Sequence, residues 1–396
     1  MTNTTNTKPC KQKLCKNCLQ PFQYKRKTAE FCKEYCKKSN KAKRLKAQQE
    51  KRLYRAETSA FFYYLADECR RAGTVEVLPA TLEDFQALHA VYKYRLKANN
   101  YGRDSEYSIC HIFPVQHPFL IGTITADNLV VSYSKLNSKY SNTAFAGAGR
   151  SISRLSLLPK WRTSEEQPKK EVIKMIVEYL GADFVEKMQQ LLKLQPAQRQ
   201  QVFDWLIAHA DERIPSVEKL EALTTQELSK LKALVSGKES GSFAYSDWQE
   251  YGAVFGHELR RLVQYRPELE RAIEAWEATL EDYIGVELSR HYGKLPKRLT
   301  AKLDKVLQTI YAEQFSILHG SPASQFVQKI QTLVSEAKAI AAEPIAQSDM
   351  TTKEWADYQH RLIKDQLRKE AAEAHALYVE KRWIETQAAM SLKQAA

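Results

Sequence analysis

Apolar residues recur three and four positions apart over most of the chain's second half. The stretches KEVIKMIVEYLGADFVEKMQQLLKL, SVEKLEALTTQELSKLKALV, DWQEYGAVFGHELRRLVQY, ELERAIEAWEATLEDYIGVELSRHY and RLTAKLDKVLQTIYAEQFSIL, with Pro or Gly between them, predict amphipathic helices. The pattern thus predicts an α-helical domain over 161–350. After it, TTKEW, with Thr351 and Glu354 at capping-box spacing, opens a charged C-terminal helix over 351–396. Residues 37–72 contain neither Pro nor Gly and predict one long helix, basic in its first half and apolar from Phe61, Phe62, Tyr64 and Leu65 onward. TVEVLP predicts a short strand, and TLEDFQALHAVYKYRLKAN a helix capped by Thr81 with Asp84. Residues 108–142, SICHIFPVQHPFLIGTITADNLVVSYSKLNSKYSN, break the helical period and set polar residues between apolar pairs. TAFAGAGRSISRLSLLPKW, after it, predicts a loop with a short strand; its G-x-G is not followed by a Lys-Ser/Thr pair, so it does not read as a phosphate-cradling loop.

A chain of 396 residues is long enough for two or three domains. No apolar run approaches the length that crosses a bilayer, and the start, MTNTTNTKPCKQK, has no apolar signal core. We therefore expect a cytoplasmic protein with no membrane partner. Charge changes the picture more. The net charge is +13, and residues 1–60 hold 17 Lys and Arg against 4 Glu, leaving 43 basic and 43 acidic groups in the remainder. The whole excess sits at one end, as in an arm that binds a polyanion.

Five of the seven cysteines fall in the first 36 residues. CKNCLQPFQYKRKTAEFCKEYC reads C-x2-C, thirteen residues, C-x3-C, which lets the thiolates of Cys15, Cys18, Cys32 and Cys36 reach one tetrahedral zinc, each pair supplying a turn and the middle loop a short hairpin. The segment resembles treble-clef or ribbon-like zinc fingers, with Phe22 and Phe31 at the pattern's aromatic positions. Cys10 lies outside the pattern as a spare thiol, and Cys69, in helical surroundings, reads as a packing residue.

Within residues 108–142, His111, Asn128 and Asn137 stand as H-x16-N-x8-N, with I-x-P after the first, NL at the second and N-x-K at the third. This closely resembles the HNH endonuclease motif, a ββα-metal unit of about 35 residues. The resemblance implies that His111 is the general base and that Asn128 holds that histidine or the turn. It further implies that Asn137 gives an oxygen ligand to a divalent ion (Mg2+, Mn2+ or Zn2+) and that Lys139 faces the phosphate backbone. Where the family places a metal-binding aspartate, this chain has Cys110, a ligand suited to softer ions. Asp104, Glu106, Asp127 and His117 lie close enough in sequence to serve instead. A lone histidine between isoleucines also fits an ordinary core position.

Together these readings give an α+β, mostly α protein: a zinc finger with basic tail (1–40), a basic-to-apolar linking helix (41–72), an HNH-like unit (73–160), the helical domain and the C-terminal helix. The expected function is a metal-dependent HNH-type endonuclease that hydrolyses phosphodiesters of DNA, double-stranded rather than single-stranded. Its contacts with nucleic acid are expected from Lys25, Arg26, Lys27, Lys37, Lys38, Lys41, Lys43, Arg44, Lys46 and Lys139. The competing readings are a non-catalytic DNA-binding adaptor with a degenerate HNH fold, and an RNA partner; the C-terminal helices are a candidate surface for a protein partner or self-association.

Overall fold

The computed structural model describes residues 12–24, 26–102, 104–143, 148–237, 251–292 and 295–345, and of 351–373 all but 354, 365, 371 and 372. Cys10 and Lys25 therefore lie outside the described residues, as does Glu354 of the expected C-terminal cap. The described chain is mostly helical, with three two-stranded antiparallel sheets, which matches the expected class. It divides into two compact units, Met1–Glu270 with Phe315–Pro322, and Arg271–Gln314 with Ala323–Ala396. Among the described residues no helix is long and apolar enough to cross a membrane.

The first unit begins with a hairpin of β1 (Gln12–Leu14) and β2 (Pro21–Gln23), followed by α1 (Glu34–Glu57). The hairpin closes around the first cysteine pair rather than forming within the middle loop, because Cys15 to Cys18 are themselves its turn. The single helix expected over 37–72 is two helices, α1 and α2 (Ala60–Ala72). The cause is Ser59: its backbone is extended, its hydroxyl accepts the Phe62 N–H at 3.2 Å and donates to the Ala56 carbonyl at 2.7 Å. A serine that satisfies backbone groups locally ends one helix and caps the next. α3 (Leu82–Ala98) starts where expected, with Thr81 Oγ1 accepting the Asp84 N–H at 3.1 Å. TVEVLP is not a strand. Val75, Val77 and Leu78 are buried in turns, the Leu78 N–H bonds back to Val75, and Pro79 has no N–H to offer a ladder.

Next come β3 (Tyr107–His111), β4 (Leu120–Gly122), β5 (Leu129–Tyr133), α4 (Ser134–Tyr140) and β6 (Ser151–Ser153). β3 pairs with β5, His111 opposite Leu129 and Cys110 opposite Val130, while β4 pairs with β6. The helices that follow are α5 (Lys169–Leu180), α6 (Ala182–Leu192), α7 (Gln198–Ala208), α8 (Val217–Ala222), α9 (Thr225–Ser236) and α10 (Tyr251–Val263). Two stretches that read as continuous helical patterns are broken by local chemistry, one at Gly181, whose φ is +84°, and one at Thr224, which forms a reciprocal capping box with Glu227. The second unit holds α11 (Glu270–Glu277), α12 (Leu280–Tyr292), most of α13 (Lys297–Leu318) and α14 (Ala323–Ala341). Its core includes Trp276, Tyr283, Leu303, Leu307, Phe326 and Ile330.

α10 fixes the β3–β5 hairpin by an ion pair. Glu258, fully buried, accepts the Val131 N–H at 3.0 Å and pairs with Arg261 at 2.7 Å, and Arg261 donates to the carbonyls of Ala126 (2.6 Å) and Leu129 (2.5 Å). Removing one partner of such a pair strands the other charge. Glu258→Ala should therefore cost about 3–5 kcal/mol, read as a lower urea midpoint; a loss under about 1 kcal/mol would mean that the hairpin is held by other contacts.

Candidate metal centre and nucleic-acid interface

The four finger cysteines converge. Their sulfurs all lie within 4.8 Å of one another, with Cys18 to Cys32 at 3.6 Å and Cys32 to Cys36 at 3.4 Å. A tetrahedral site with Zn–S bonds near 2.3 Å sets sulfurs roughly 3.8 Å apart, so the donor set fits zinc. Cys15 and Cys18 sit in the hairpin turn, Cys32 just before α1 and Cys36 in its first turn. Burial works to raise the Cys15 thiol, but backbone N–H groups of Cys18, Cys32 and Asn17 outweigh it and bring it down to about 6. The Cys32 thiol is pushed up to about 12 by its contact with Cys36 first, then by desolvation and the other two sulfurs. Unaided, the cluster favours a thiolate at Cys15 and opposes one at Cys32, a conflict that a bound cation would relieve.

From this cluster α1 carries the basic residues outward. Lys37, Lys38, Lys41, Lys43, Arg44 and Lys46 are all exposed, and no side chain from 41 to 48 is covered on any face of the helix. Its far end is anchored to the body by Gln49 to Asp183 (2.9 Å), Arg52 to Glu186 (2.5 Å) and Tyr54 to Asp204 (2.6 Å). Arg26 and Lys27 are exposed on the finger, and Lys139 is exposed on α4.

The strands β3 and β5 with α4 form a ββα arrangement around the motif residues. Asn128 is its hub: fully buried, it accepts N–H groups from Phe113 (2.8 Å) and Arg150 (3.0 Å) and donates to the carbonyls of Thr123 (2.8 Å) and Phe113 (3.3 Å). A Cβ at Gly122 or Gly149 would strike Phe113 and this asparagine, so the turn needs both glycines. Asn137 donates to Ser108 Oγ at 3.4 Å, and the Cys110 thiol lies 3.5 Å from the same hydroxyl. His111 alternates away from Cys110 along the strand. Its Nε2 is 3.8 Å from Glu68 on α2, is buried, and has no hydrogen-bond partner among the described residues. Burial, aided by Arg71 and His319, lowers the His111 imidazole to about 3, and burial raises the Cys110 thiol to about 12. At neutral pH the pair is thus a neutral imidazole and a protonated thiol.

Among the described residues the substitute ligands are not gathered with His111 into a metal-binding group. Asp104 accepts from Asn100, Asp127 lies 3.8 Å from Arg150, the Glu106 carbonyl accepts the Ser134 N–H, and His117 Nδ1 accepts N–H groups from Phe119 and Leu120. Among the described residues the four cysteines are the one group of three or more Cys, His, Asp or Glu side chains brought to metal-binding distance. Cys69, fully buried, is a packing residue.

Glu68 went unread in the sequence, where it looks like half of a surface i,i+3 pair with Arg71; in the fold it is buried, and desolvation raises its carboxyl. The second missed feature is a run from 128 to 164 with no Asp or Glu and six cations: Lys135, Lys139, Arg150, Arg154, Lys160 and Arg162. A charge count in short windows would have found it. No protein-family model, curated protein or solved structure matches the chain, so the likeness to HNH enzymes rests on the motif and the ββα order.

Two measurements follow from this geometry. Elemental analysis should return one zinc per chain, unchanged by Cys10→Ser and lost in Cys18→Ser; less than half a zinc per chain in wild type would rule out the site. His111 titrates lower folded than unfolded, so from its ordinary 6.5 down to about 3 the unfolded chain takes a proton that the folded chain refuses. Stability should fall with decreasing pH through that window by up to about 1.4 kcal/mol per pH unit. His111→Gln should show a correspondingly shallower decline in urea unfolding; equal slopes would mean that the imidazole is solvated.

Proposed function

We propose that the chain is a DNA-binding protein in which a zinc-closed finger directs a basic helix onto the phosphate backbone, and in which the ββα unit serves as a platform rather than a cutting site. The observation that carries this reading is α1 itself. Between Glu34 and Glu50 it has six cations and no acid, its bare middle section is solvated on every face, and its first turn supplies Cys36 to the cysteine cluster. A helix section solvated on every face gains nothing from a core and is suited to bridging toward a charged partner. Tyr35 and Leu45, 77% and 56% exposed on the same helix, add apolar contact to the phosphate attraction.

The burial of His111 and Cys110 favours the non-catalytic form, as does the lack, among the described residues, of a metal-binding group of three side chains around them. A general base must reach the water it deprotonates, and a protonated thiol is a poor ligand for magnesium. A second reading, a metal-dependent HNH-type endonuclease, is favoured by one observation: His111 ends β3, Asn128 holds the following turn and Asn137 lies on the helix after β5, the order of the family's motif. In that case the base is neutral and ready to accept a proton once exposed.

Salt titration of duplex binding tests the first reading. Each phosphate contact contributes about 0.9 to the log–log slope, so a variant with Lys41→Gln, Lys43→Gln, Arg44→Gln and Lys46→Gln should flatten it by roughly 3 to 4. An unchanged slope removes α1 from the interface. Plasmid nicking with magnesium, manganese or zinc that vanishes in His111→Ala would replace the first reading with the second.

A further inference from the structure

We infer that the end of the β4–β6 ladder is a second DNA contact, an apolar wedge of Phe119 and Leu155 that inserts between bases; this rests on the DNA-binding reading above and deepens it. The two residues sit at the same end of the ladder, where Leu120 pairs with Ser153 and the Arg154 N–H bonds to the Phe119 carbonyl at 3.0 Å. Phe119 is 76% exposed and Leu155 97%, the largest exposure of any large apolar side chain among the described residues. Such side chains on frayed loops would mean little. These are held by their backbones.

The His117 ring accepts the N–H groups of Phe119 (3.4 Å) and Leu120 (3.2 Å). Arg154 reaches across to the carbonyls of His117 (2.8 Å) and Val115 (3.2 Å), tying the loop before β4 to the turn after β6. On the other side Ser153 Oγ accepts the Leu155 N–H at 3.2 Å, and the Ser156 hydroxyl returns to the Ser153 carbonyl at 2.8 Å. Two exposed tips are therefore fixed with no surface of the described residues over them, and little ordering entropy remains to be lost on binding.

Charge identifies the occupant. Leu155 lies within the acid-free run from 128 to 164, to which Phe119 is bonded through the Arg154 N–H, and Arg150, Lys160 and Arg162 are exposed on the same segment. Asp127 and Glu178 offset Arg150 (3.8 Å) and Lys160 (2.9 Å) only in part, since both cationic side chains remain 64% exposed. An apolar point on a segment whose own charges are all cationic matches a partner that has anionic edges and apolar faces, which is stacked nucleic acid. Wedges of this kind open a base step, while the flanking cations hold the phosphates on either side.

The test uses the full-length protein and a short duplex carrying 2-aminopurine, whose fluorescence rises when it is unstacked. Wild type should raise the signal on binding. The variant Phe119→Ser with Leu155→Ser should bind roughly tenfold more weakly, with no rise and an unchanged salt slope, and Phe119→Trp should keep both affinity and signal. If the double variant loses its circular-dichroism signature, Phe119→Ala and Leu155→Ala are read singly in its place. Equal affinity and signal in wild type and variant overturn the wedge while leaving the α1 contact standing, as does wild-type binding without any rise. Binding to phosphatidylserine vesicles or polyglutamate that the double variant loses, with DNA binding intact, assigns the tips to another partner and overturns the wedge too. A wild type that binds no duplex even at low salt ends both readings.

Discussion

A carboxylate with no access to water governs how this chain presents its motif. Glu258 can be buried only because Arg261, one turn along α10, neutralises it and because the Val131 N–H, on the open side of β5, gives it a donor. The pair then holds two carbonyls at the start of β5. A two-stranded hairpin is marginal alone. Here one strand has a partner strand on one edge and an ion pair on the other, so its register, and with it the faces on which Cys110 and His111 lie, follows from a residue more than a hundred positions away.

The same dependence explains what could be read in the sequence. The cysteine cluster was legible because a metal site imposes short, fixed spacings on the chain itself. Most helices were legible because their apolar period is local. The break at Ser59 was not: a capping serine inside a good helical pattern looks like an ordinary polar position until its hydroxyl has a partner. The strand expected at TVEVLP failed for a related reason, since alternation tells a segment which face to bury but supplies no neighbour to pair with.

The motif residues divide along this line. Asn128 carries its role in its own side chain, four hydrogen bonds that organise the turn around it. His111 does not, because a histidine at a strand end is a base or a buried imidazole according to what lies over it, and what lies over it comes from α2. The acid-free run after Asn128 was hidden by arithmetic rather than by folding: 43 cations and 43 anions outside the first sixty residues average to nothing and conceal a local excess.

Helix α1 joins the finger to the body through eight residues that are all exposed, and a helix is a screw as well as a spacer. Each residue advances it by 1.5 Å and turns it by about 100°. Deleting one residue between Lys41 and Gln48 would thus hardly change the distance from finger to body but would swing the finger about a quarter-turn around the shaft, whereas removing four would nearly restore its heading. The length of this segment therefore sets the finger's heading, and an insertion or deletion in it re-aims the finger while all four of its cysteines stay in place.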